Sequence, residues 1–295
     1  MPEGDTIWQL ADRITDRFVG ETCHDTVTRH PKLLRVDFAG QRLVAAESIG
    51  KFLCLRFDDQ RTLVSHLRMD GSWTLGRRSS APEMSRYIEL HFESGWLTAL
   101  RMPQIEVIDT VDEASVVGHL GPDLCTSAVA DLPDQLRAVA AQMRARSDTA
   151  LATAMLDQRL VAGFGNVYAV ELPFIVGVSP FHPTSDIDGI DDVLHIGAAL
   201  IRVNALRHVR NTTGRRLHTA DQWIYGRARG RCPWCSAVLK NARDRDTPWG
   251  RLTVWCPSCQ RDRPNAHVDI GRAREALALH PARRDPLVEA LFASR

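Results

Sequence analysis

The sequence predicts an α+β protein in which a β-rich N-terminal half precedes a helical region and a cysteine-bearing hairpin. Three observations predict this order. Short apolar or alternating runs, bounded by turn residues, recur between about residues 21 and 108, as they do in a β-sandwich or a barrel. Apolar residues at helical spacing dominate from 131 to 209. Two closely spaced cysteine pairs then follow between 232 and 259.

Individual elements follow from the same patterns. A helix is predicted over 5–18, because Ile7, Leu10, Ala11, Ile14 and Phe18 would share one face. The strands predicted in the β-rich half include 33–38, 51–57, 62–64 and 87–92. The helices predicted after it are 131–146, 149–160 and 190–209. The segment 179–189 is rich in Pro, Asp and Ser and is predicted to be a loop.

The composition is that of an ordinary globular protein, with 44% hydrophobic and 25% charged residues among 295. No apolar run reaches the roughly 18 residues of a membrane span. Glu3 and Asp5 stand where a secretory signal would carry basic residues. We therefore expect a cytoplasmic protein that does not bind membranes. The count of seven cysteines is odd and does not favour a disulfide framework, so Cys23, Cys54 and Cys125 are expected to be reduced core thiols.

Positive charge is concentrated in one segment. The net charge is only +1, yet residues 201–264 carry 14 Lys and Arg against 4 Asp and Glu. Such a segment indicates a local contact with a polyanion, for which phosphate is the obvious anion. A solvated basic surface is the alternative.

The late cysteines have the spacing of a zinc site. Cys232-Pro-Trp-Cys235 is followed by 20 residues and then by Cys256-Pro-Ser-Cys259, which suits tetrahedral thiolate coordination. Four thiolates leave no open position, so the zinc would be structural. Strands at 237–239 and 252–255 would form a ribbon hairpin whose loop carries Arg243, Arg245 and Arg251. These arginines suit contact with nucleic acid. The alternative to a zinc site is a pair of redox dithiols, and the alternative to nucleic-acid binding is a ribbon that binds a protein.

A glycine-containing turn separates two predicted helices within 156–168. Gly163 and Gly165 permit left-handed conformations and close backbone approach. Asn166 is predicted to cap the second helix, whose N-terminal amides would suit a phosphate. An ordinary helix hairpin is the alternative interpretation.

The chain begins Met1-Pro2-Glu3-Gly4. Removal of Met1 would expose a secondary amine whose pKa is roughly 8, compared with about 10.4 for lysine. Such an amine is a good nucleophile toward the C1′ carbon of a sugar, where it would form an imine. Glu3 beside it could act as general acid or base. The dipeptide alone is common and indicates little.

Together these features resemble the formamidopyrimidine-DNA glycosylase/endonuclease VIII family over about residues 1–263. The resemblance rests on four motifs in the family's order. They are Met1-Pro2-Glu3-Gly4, the segment Ile49-Gly50-Lys51-Phe52-Leu53, the helix–two-turn–helix segment 157–168, and Ile224-Tyr225-Gly226-Arg227 leading into the ribbon that ends at Gln260.

The resemblance implies a role for each candidate residue. Pro2 would be the nucleophile, Glu3 the acid/base group and Lys51 a catalytic and phosphate contact. Met69 would fill the gap left by a flipped nucleotide, and Asp123 would orient the N-terminal region. Asn166 and Arg251 would bind DNA phosphates, and one structural Zn²⁺ would be held by Cys232, Cys235, Cys256 and Cys259. A solvated strand residue at Lys51 and a turn methionine packed on the sheet at Met69 are the alternatives.

The resemblance further implies a monomeric bacterial enzyme, associated with the nucleoid, that excises oxidised bases from damaged DNA and cleaves the abasic strand in base excision repair. Two departures matter. Asp5-Thr6 replaces the family's usual Pro-Glu, and 100–105 lacks the Asp-Pro-Arg-Arg-Phe-Gly pattern of the purine-specific branch. Together with Gly4, this favours the endonuclease VIII branch and oxidised pyrimidines. The competing hypothesis is a non-catalytic or weakly catalytic zinc-ribbon protein that recognises damaged or single-stranded DNA.

The domain organisation implied by the resemblance has four parts. Residues 1–125 would form an N-terminal β-sandwich catalytic domain with flanking helices, and 126–220 a helix–two-turn–helix DNA-binding domain. Residues 221–263 would form the zinc-finger ribbon. Residues 264–295 would be a C-terminal extension with one or two short helices and no assigned role.

Overall fold

The computed structural model describes residues 2–215, 221–243, 250–261 and 265–293. The chain divides into two units, Met1–Leu120 and Gly121–Arg295. The first contains most of the β-structure and the second most of the helices, which confirms the α+β class. The four-part domain division stays a prediction.

Helix α1 (Gly4–Phe18) opens the first unit, close to the predicted 5–18. Its buried face includes Ile7, Ile14 and Phe18, the residues whose spacing predicted it. Glu3 is the N-cap, and the helix ends at Phe18 before the extended residue Val19.

Two separate four-stranded antiparallel sheets follow α1 and form a β-sandwich, which decides against a barrel. The strands are β1 (Asp25–Thr28), β2 (Leu43–Ile49), β3 (Phe52–Phe57), β4 (Arg61–His66), β5 (Ser72–Gly76), β6 (Arg86–Phe92), β7 (Gly95–Leu100) and β8 (Gln104–Asp109). One sheet has the order β2-β3-β4-β8 and the other β1-β6-β7-β5. A single apolar core contains residues of both sheets and of α1.

The sheet β2-β3-β4-β8 also has a second apolar cluster. Phe52, Cys54 and Val64 pack there with Val116 and Val117 of the short helix α2 (Glu113–Val117). Because β3 is therefore buried on both faces, its sequence is nearly continuous in apolar residues. Burial raises the pKa of the Cys54 thiol to about 12, as expected for a core thiol. Cys23 and Cys125 are buried as well.

The prediction of a strand over 33–38 is wrong. The chain forms a 3-10 helix at Pro31–Leu33 and then a turn. Pro31 lacks the N–H that a strand would need, and the His30 side chain accepts a hydrogen bond from the Lys32 N–H (3.4 Å). Leu33 and Phe38 are nevertheless fully buried, so the apolar pattern marked core residues without a strand.

Six helices of the second unit lie within the described residues. They are α3 (Leu132–Arg144), α4 (Leu151–Leu156), α5 (Asn166–Ile175), α6 (Ile190–Ala205), α7 (Ile270–Ala276) and α8 (Pro286–Ala293). The prediction over 131–146 is confirmed, and the tail, predicted to contain one or two short helices, contains two. Helix α4 ends earlier than predicted, because the Asp157 carboxylate accepts from the Arg159 N–H (3.0 Å) and closes a turn.

Short strands complete this unit: β9 (Ile187–Asp188), β10 (Lys240–Arg243), β11 (Leu252–Trp255) and β12 (Ala266–His267). Antiparallel β10 and β11 form the ribbon hairpin, and parallel β9 and β12 join the tail to the predicted loop 179–189. The first ribbon strand begins later than the predicted 237–239, because Val238 instead forms an isolated bridge with Arg231. Arg245 lies outside the described residues. None of the helices described combines the length and apolar composition needed to cross a bilayer.

Candidate active site and nucleic-acid interface

The start of the chain places two buried carboxylates beside Pro2. Pro2 is half-buried, whereas Glu3 and Asp5 are 0% and 1% exposed. The Glu3 N–H donates to the Thr6 hydroxyl (3.4 Å), and that hydroxyl donates to the Asp5 carboxylate (3.2 Å). The positive end of the α1 dipole favours negative charge at this position. The first turn of α1 therefore keeps two carboxylates although Thr6 replaces the second Glu expected from the family.

Lys51 lies in a two-residue hairpin turn rather than in the strand predicted for it. Ile49 of β2 pairs with Phe52 of β3, so that Gly50 and Lys51 alone form the connection. Gly50 has φ of 59°, a conformation that glycine adopts without the cost of a Cβ atom. The tight turn fixes the backbone from which the half-buried Lys51 side chain extends.

Basic residues gather at this end of the sheet. His66, the last residue of β4, pairs with Phe52 on one side and with Gln104 on the other. Its Nδ1 accepts from the Arg68 N–H (3.0 Å), and the Arg68 guanidinium donates to the Gln104 side chain (3.0 Å). Burial, followed by the charges of Arg68 and Lys51, lowers the pKa of His66 to about 3. His66 is therefore neutral near pH 7. The sequence analysis missed Arg68, although it is adjacent to Met69.

The loop after β4 presents Met69 to solvent. Arg68 adopts a left-handed conformation with φ of 51°, and Met69 is 61% exposed. A Cβ atom on Gly71 would lie 2.7 Å from the Leu67 carbonyl oxygen and 2.8 Å from the Met102 sulfur. The loop is thus too tight at Gly71 for another residue. The exposure of Met69 favours a side chain presented to solvent over a turn methionine packed on the sheet.

The connection between β7 and β8 is short. Arg101, Met102 and Pro103 alone join Leu100 to Gln104. Met102 is fully buried, and the Arg101 N–H donates to the Ser85 carbonyl (2.8 Å). This segment is part of the β-sandwich and does not form a projecting loop, in keeping with the missing sequence pattern.

In the second unit, Gln158 holds the glycine turn closed. Its Nε2 donates to the Phe164 carbonyl (2.8 Å), and its Oε1 accepts from the Gly163 N–H (3.1 Å). Gly163 has φ of 95°, so the turn requires glycine there. The segment is a tight turn between α4 and α5, closed by these hydrogen bonds, as the sequence predicted.

Asn166 is not the N-cap that the sequence predicted. Gly165 has the extended backbone of the cap, and Asn166 is the first residue of α5. The Asn166 side chain is instead 5% exposed, and its Nδ2 donates to the Leu252 carbonyl at the start of β11 (2.9 Å). The helix turn is thereby fastened to the ribbon.

This hydrogen bond brings two predicted site residues together. Arg251 immediately precedes Leu252 in the chain, so Asn166 holds the backbone next to Arg251. The Asn166 Oδ1 is buried, and no hydrogen-bond partner for it is found among the described residues. Arg251 is thus adjacent in the chain to a residue bonded to the start of α5, and an arginine near a helix N-terminus would suit a phosphate.

A buried carboxylate that the sequence analysis missed positions the segment leading to the ribbon. Glu171 of α5 accepts from the N–H groups of Trp223 (2.7 Å), Ile224 (2.8 Å) and Tyr225 (2.7 Å), and from the Thr212 hydroxyl. Burial raises the pKa of Glu171, and these hydrogen bonds oppose the rise. Its lone charge within an otherwise apolar run was the feature that could have identified it.

The four ribbon cysteines converge on one point. Their sulfur atoms all lie within 4.8 Å of one another, with Cys232–Cys259 at 3.8 Å and Cys235–Cys256 at 3.4 Å. A tetrahedron with zinc–sulfur bonds of about 2.3 Å has edges of roughly 3.8 Å. Two N–H groups in the knuckles also point at sulfur, those of Trp234 and Cys259, each at 3.4 Å. The set fits a metal ion.

Asp123 lies in the second unit, close to its first residue. Its Oδ1 accepts from the Cys125 N–H (2.9 Å), and the neighbouring Pro122 carbonyl accepts from the Ala162 N–H (2.9 Å). These contacts attach the Asp123 segment to the glycine turn. Its proposed action on the N-terminal region stays a prediction.

Comparisons with known proteins agree with this geometry. Residues 1–104 match the model of the formamidopyrimidine-DNA glycosylase N-terminal domain. The chain is 37% identical to a probable endonuclease 8 2 of Streptomyces coelicolor over 266 residues, covering 88% of this chain and 94% of that one. It is 33% identical to the DNA-(apurinic or apyrimidinic site) lyase Nei2 of Mycolicibacterium smegmatis over 261 residues, covering 88% of this chain and 99% of the relative.

Solved structures confirm the fold. A Lactococcus lactis formamidopyrimidine-DNA glycosylase, crystallised with DNA containing an AP site, matches with a TM-score of 0.73. The identity is 21%, and the match covers 88% of this chain and all of that one, 100%. The β-sandwich followed by helices and a four-cysteine ribbon is therefore a known architecture.

Proposed function

Because the chain belongs to the formamidopyrimidine-DNA glycosylase/endonuclease VIII family, we propose that it is a bifunctional DNA glycosylase and AP lyase of base excision repair. The single observation that carries the assignment to a catalytic protein is the start of the chain. There Pro2 precedes a helix with two buried carboxylates, Glu3 at its N-cap and Asp5 in its first turn. The relatives named endonuclease 8 and AP lyase, similar over most of both chains, support it.

The first step is base excision. The damaged nucleotide must leave the helical stack before its C1′ atom can be reached. The Pro2 nitrogen forms a bond to C1′, and the bond between C1′ and the base breaks. The base leaves with a proton, for which Glu3 is the donor. The C1′–O4′ bond then opens, and O4′ takes the proton that the Pro2 nitrogen gives up. The product is a cationic imine (iminium) between Pro2 and the sugar.

The second step is strand cleavage. The imine acidifies the C2′ hydrogen, and a carboxylate at the start of α1 accepts that proton. The electron pair left on C2′ expels the 3′ phosphate, so that the C3′–O bond breaks. A second elimination at the 5′ side releases the sugar. The buried Asp5 offers a second carboxylate for these transfers, which offsets its displacement from the family's usual position.

DNA is held by residues of both units. In the first, Lys51 contacts the phosphate beside the lesion, and exposed Met69 fills the gap left by the flipped nucleotide. In the second, Asn166 and Arg251 bind backbone phosphates. The basic end of the β2-β3-β4-β8 sheet and the hydrogen bond from Asn166 to Leu252 support these roles.

The metal is a structural zinc ion, one per chain. Cys232, Cys235, Cys256 and Cys259 supply four thiolates, which leave no coordination position for a substrate. Zinc would hold the ribbon that carries Arg251 and takes no part in bond breaking. The sulfur separations support this choice.

Oxidised pyrimidines are the favoured substrates. The support is the three-residue connection between β7 and β8, with buried Met102, where the purine-specific branch has a projecting loop. Excision should therefore be faster for thymine glycol than for 8-oxoguanine in otherwise identical duplexes. Equal or reversed rates would remove the pyrimidine assignment.

The catalytic assignment is tested by borohydride trapping on abasic-site DNA. We expect wild-type protein to form a covalent adduct and to cleave the strand. In Pro2→Gly, the rates of both reactions should fall by roughly 10²-fold or more, as expected when a catalytic group is lost. Binding of Pro2→Gly to a tetrahydrofuran abasic analogue should be retained, which serves as the folding control. Retained binding by wild-type protein without an adduct would favour the non-catalytic DNA-binding hypothesis instead.

A further inference from the structure

The C-terminal tail contacts the cysteine ribbon through one arginine. Arg272 lies in α7, and its Nε donates to the Phe174 carbonyl at the end of α5 (2.8 Å). Its guanidinium carbon lies 4.7 Å from the centre of the Phe174 ring and 4.0 Å from that of Trp234. Trp234 stands between Cys232 and Cys235 in the first knuckle. Arg272 therefore joins α5, the tail and the metal-binding ribbon.

The aromatic side of this contact is extended by Trp223. The rings of Trp223 and Trp234 are stacked, with centres 5.3 Å apart and planes at 6°. The Trp234 indole N–H also approaches the carboxylate of Glu275, one turn of α7 beyond Arg272, at 3.5 Å. Cation–π contacts of this kind are stronger when they are desolvated.

The backbone around Arg272 is shaped to admit its side chain. Gly177 has φ of 73°, and a Cβ atom there would lie 3.0 Å from the Arg272 Cδ. The Asp269 side chain caps α7 by accepting from the Arg272 N–H (2.8 Å), and the Asp269 N–H donates to the Val176 carbonyl (3.0 Å). The Arg272 side chain thus extends toward the ribbon from a backbone that hydrogen bonds hold in place.

One guanidinium nitrogen of Arg272 lacks a conventional hydrogen-bond partner. The Arg272 Nη2 is buried, and no hydrogen-bond partner for it is found among the residues that the structure describes. The Trp234 ring on which the guanidinium packs stands between Cys232 and Cys235, and the Cys259 sulfur lies 3.8 Å from that of Cys232. A zinc ion with four thiolates carries a formal charge of about −2, so a buried cationic donor suits it.

We propose that Arg272 is a positioning residue of the metal site, donating from Nη2 to the metal-bound Cys259 thiolate. The C-terminal tail would thereby fix the ribbon, and with it Arg251, against α5. The inference rests on the proposed zinc site. It gives the tail a role: α7 is an outer support of the metal centre.

The test measures zinc release to a chromophoric chelator from the intact protein. Arg272→Met keeps the side-chain length but loses the charge and the donors. Loss of an outer-shell partner costs about 10–100-fold in metal affinity, so release should accelerate by about that range. Arg272→Lys, which keeps the charge but not the planar fork, should give an intermediate rate. Arg274→Met is the matched control on the same helix, since its guanidinium packs on Phe292 of the tail, and should release zinc at the wild-type rate.

Tryptophan fluorescence provides a second measurement, because the emission of the stacked Trp223 and Trp234 should shift only in the Arg272 variants. Wild-type release rates and unchanged emission in Arg272→Met would overturn the proposal. If that variant does not fold, a wild-type release rate in Arg272→Lys would overturn it. If the purified wild-type protein contains no zinc, both this proposal and the proposed zinc site are contradicted. Borohydride trapping at saturating DNA, measured on the same variants, reports the proposed chemistry independently.

Discussion

Asn166 and Arg251 show how a single hydrogen bond can join two predicted site residues. Asn166 had been expected to cap α5, but Gly165 does so, and the Asn166 side chain holds the Leu252 carbonyl instead. The presence of Asn166 at the start of a helix could be predicted from local sequence. Its partner could not, because Leu252 is 86 residues away in the chain.

The phosphate contact of Arg251 gives a prediction at this scale. Arg251→Ala should weaken DNA binding across sequences and lower the slope of log affinity against log salt by about one. Affinity measured at several salt concentrations gives the slope. Arg137→Ala removes the same charge from α3, where Arg137 pairs with Asp134 on the surface, and should leave the slope unchanged. An unaltered slope in Arg251→Ala would exclude Arg251 from the interface.

The position of the tail depends on contacts with residues far away in the chain. His280, which follows α7, is 2% exposed, with Nε2 donating to the Asn211 carbonyl (2.8 Å) and Nδ1 accepting from the Ala282 N–H (3.0 Å). Only a neutral imidazole can make both bonds. Burial lowers the pKa of His280 to about 4, and the charge of Arg207 adds to this.

Acid should therefore loosen the tail. His280 takes up a proton near pH 6.5 when unfolded and near pH 4 when folded, so its contribution to stability falls as the pH drops through this window. The slope from one such group is at most about 1.4 kcal/mol per pH unit. Thermal unfolding between pH 7 and pH 4 should show a smaller loss in His280→Gln than in wild type. His66 contributes the same acid dependence of stability to wild type and to His280→Gln. An equal loss of thermal stability in the two proteins would contradict the prediction.

Elements with a strong apolar period were predictable, and those set by special residues were not. The spacing that predicted α1 and α3 reports directly which face is buried. The same reasoning failed at 33–38, where Pro31 and the His30 side chain produce a 3-10 turn. Periodicity also does not identify the surface against which a helix packs. Helix α7 was foreseen as a short helix, but its contact with Phe174, 98 residues away, was not.

At the scale of the whole molecule, each unit carries a different part of the proposed function. The first contains the chain start, Lys51 and Met69, and the second contains the helix turn, the ribbon and the tail. The four family motifs predicted the chain start, Lys51, the helix turn and the ribbon, since each motif is local. Met69 lies outside these motifs, and the tail had no predicted role. Glu171 and Arg272 were not identified from the sequence because neither belongs to a motif, and their roles follow from the contacts that each makes in the fold.

The central claim is that the N-terminal imino nitrogen attacks the sugar. Its most direct test is mass spectrometry of the peptide cross-linked by borohydride to abasic-site DNA. We predict that the mature chain begins at Pro2 and that the reduced sugar is attached to the Pro2 nitrogen. A chain that retains Met1, or an adduct located on a lysine such as Lys51, would contradict the account.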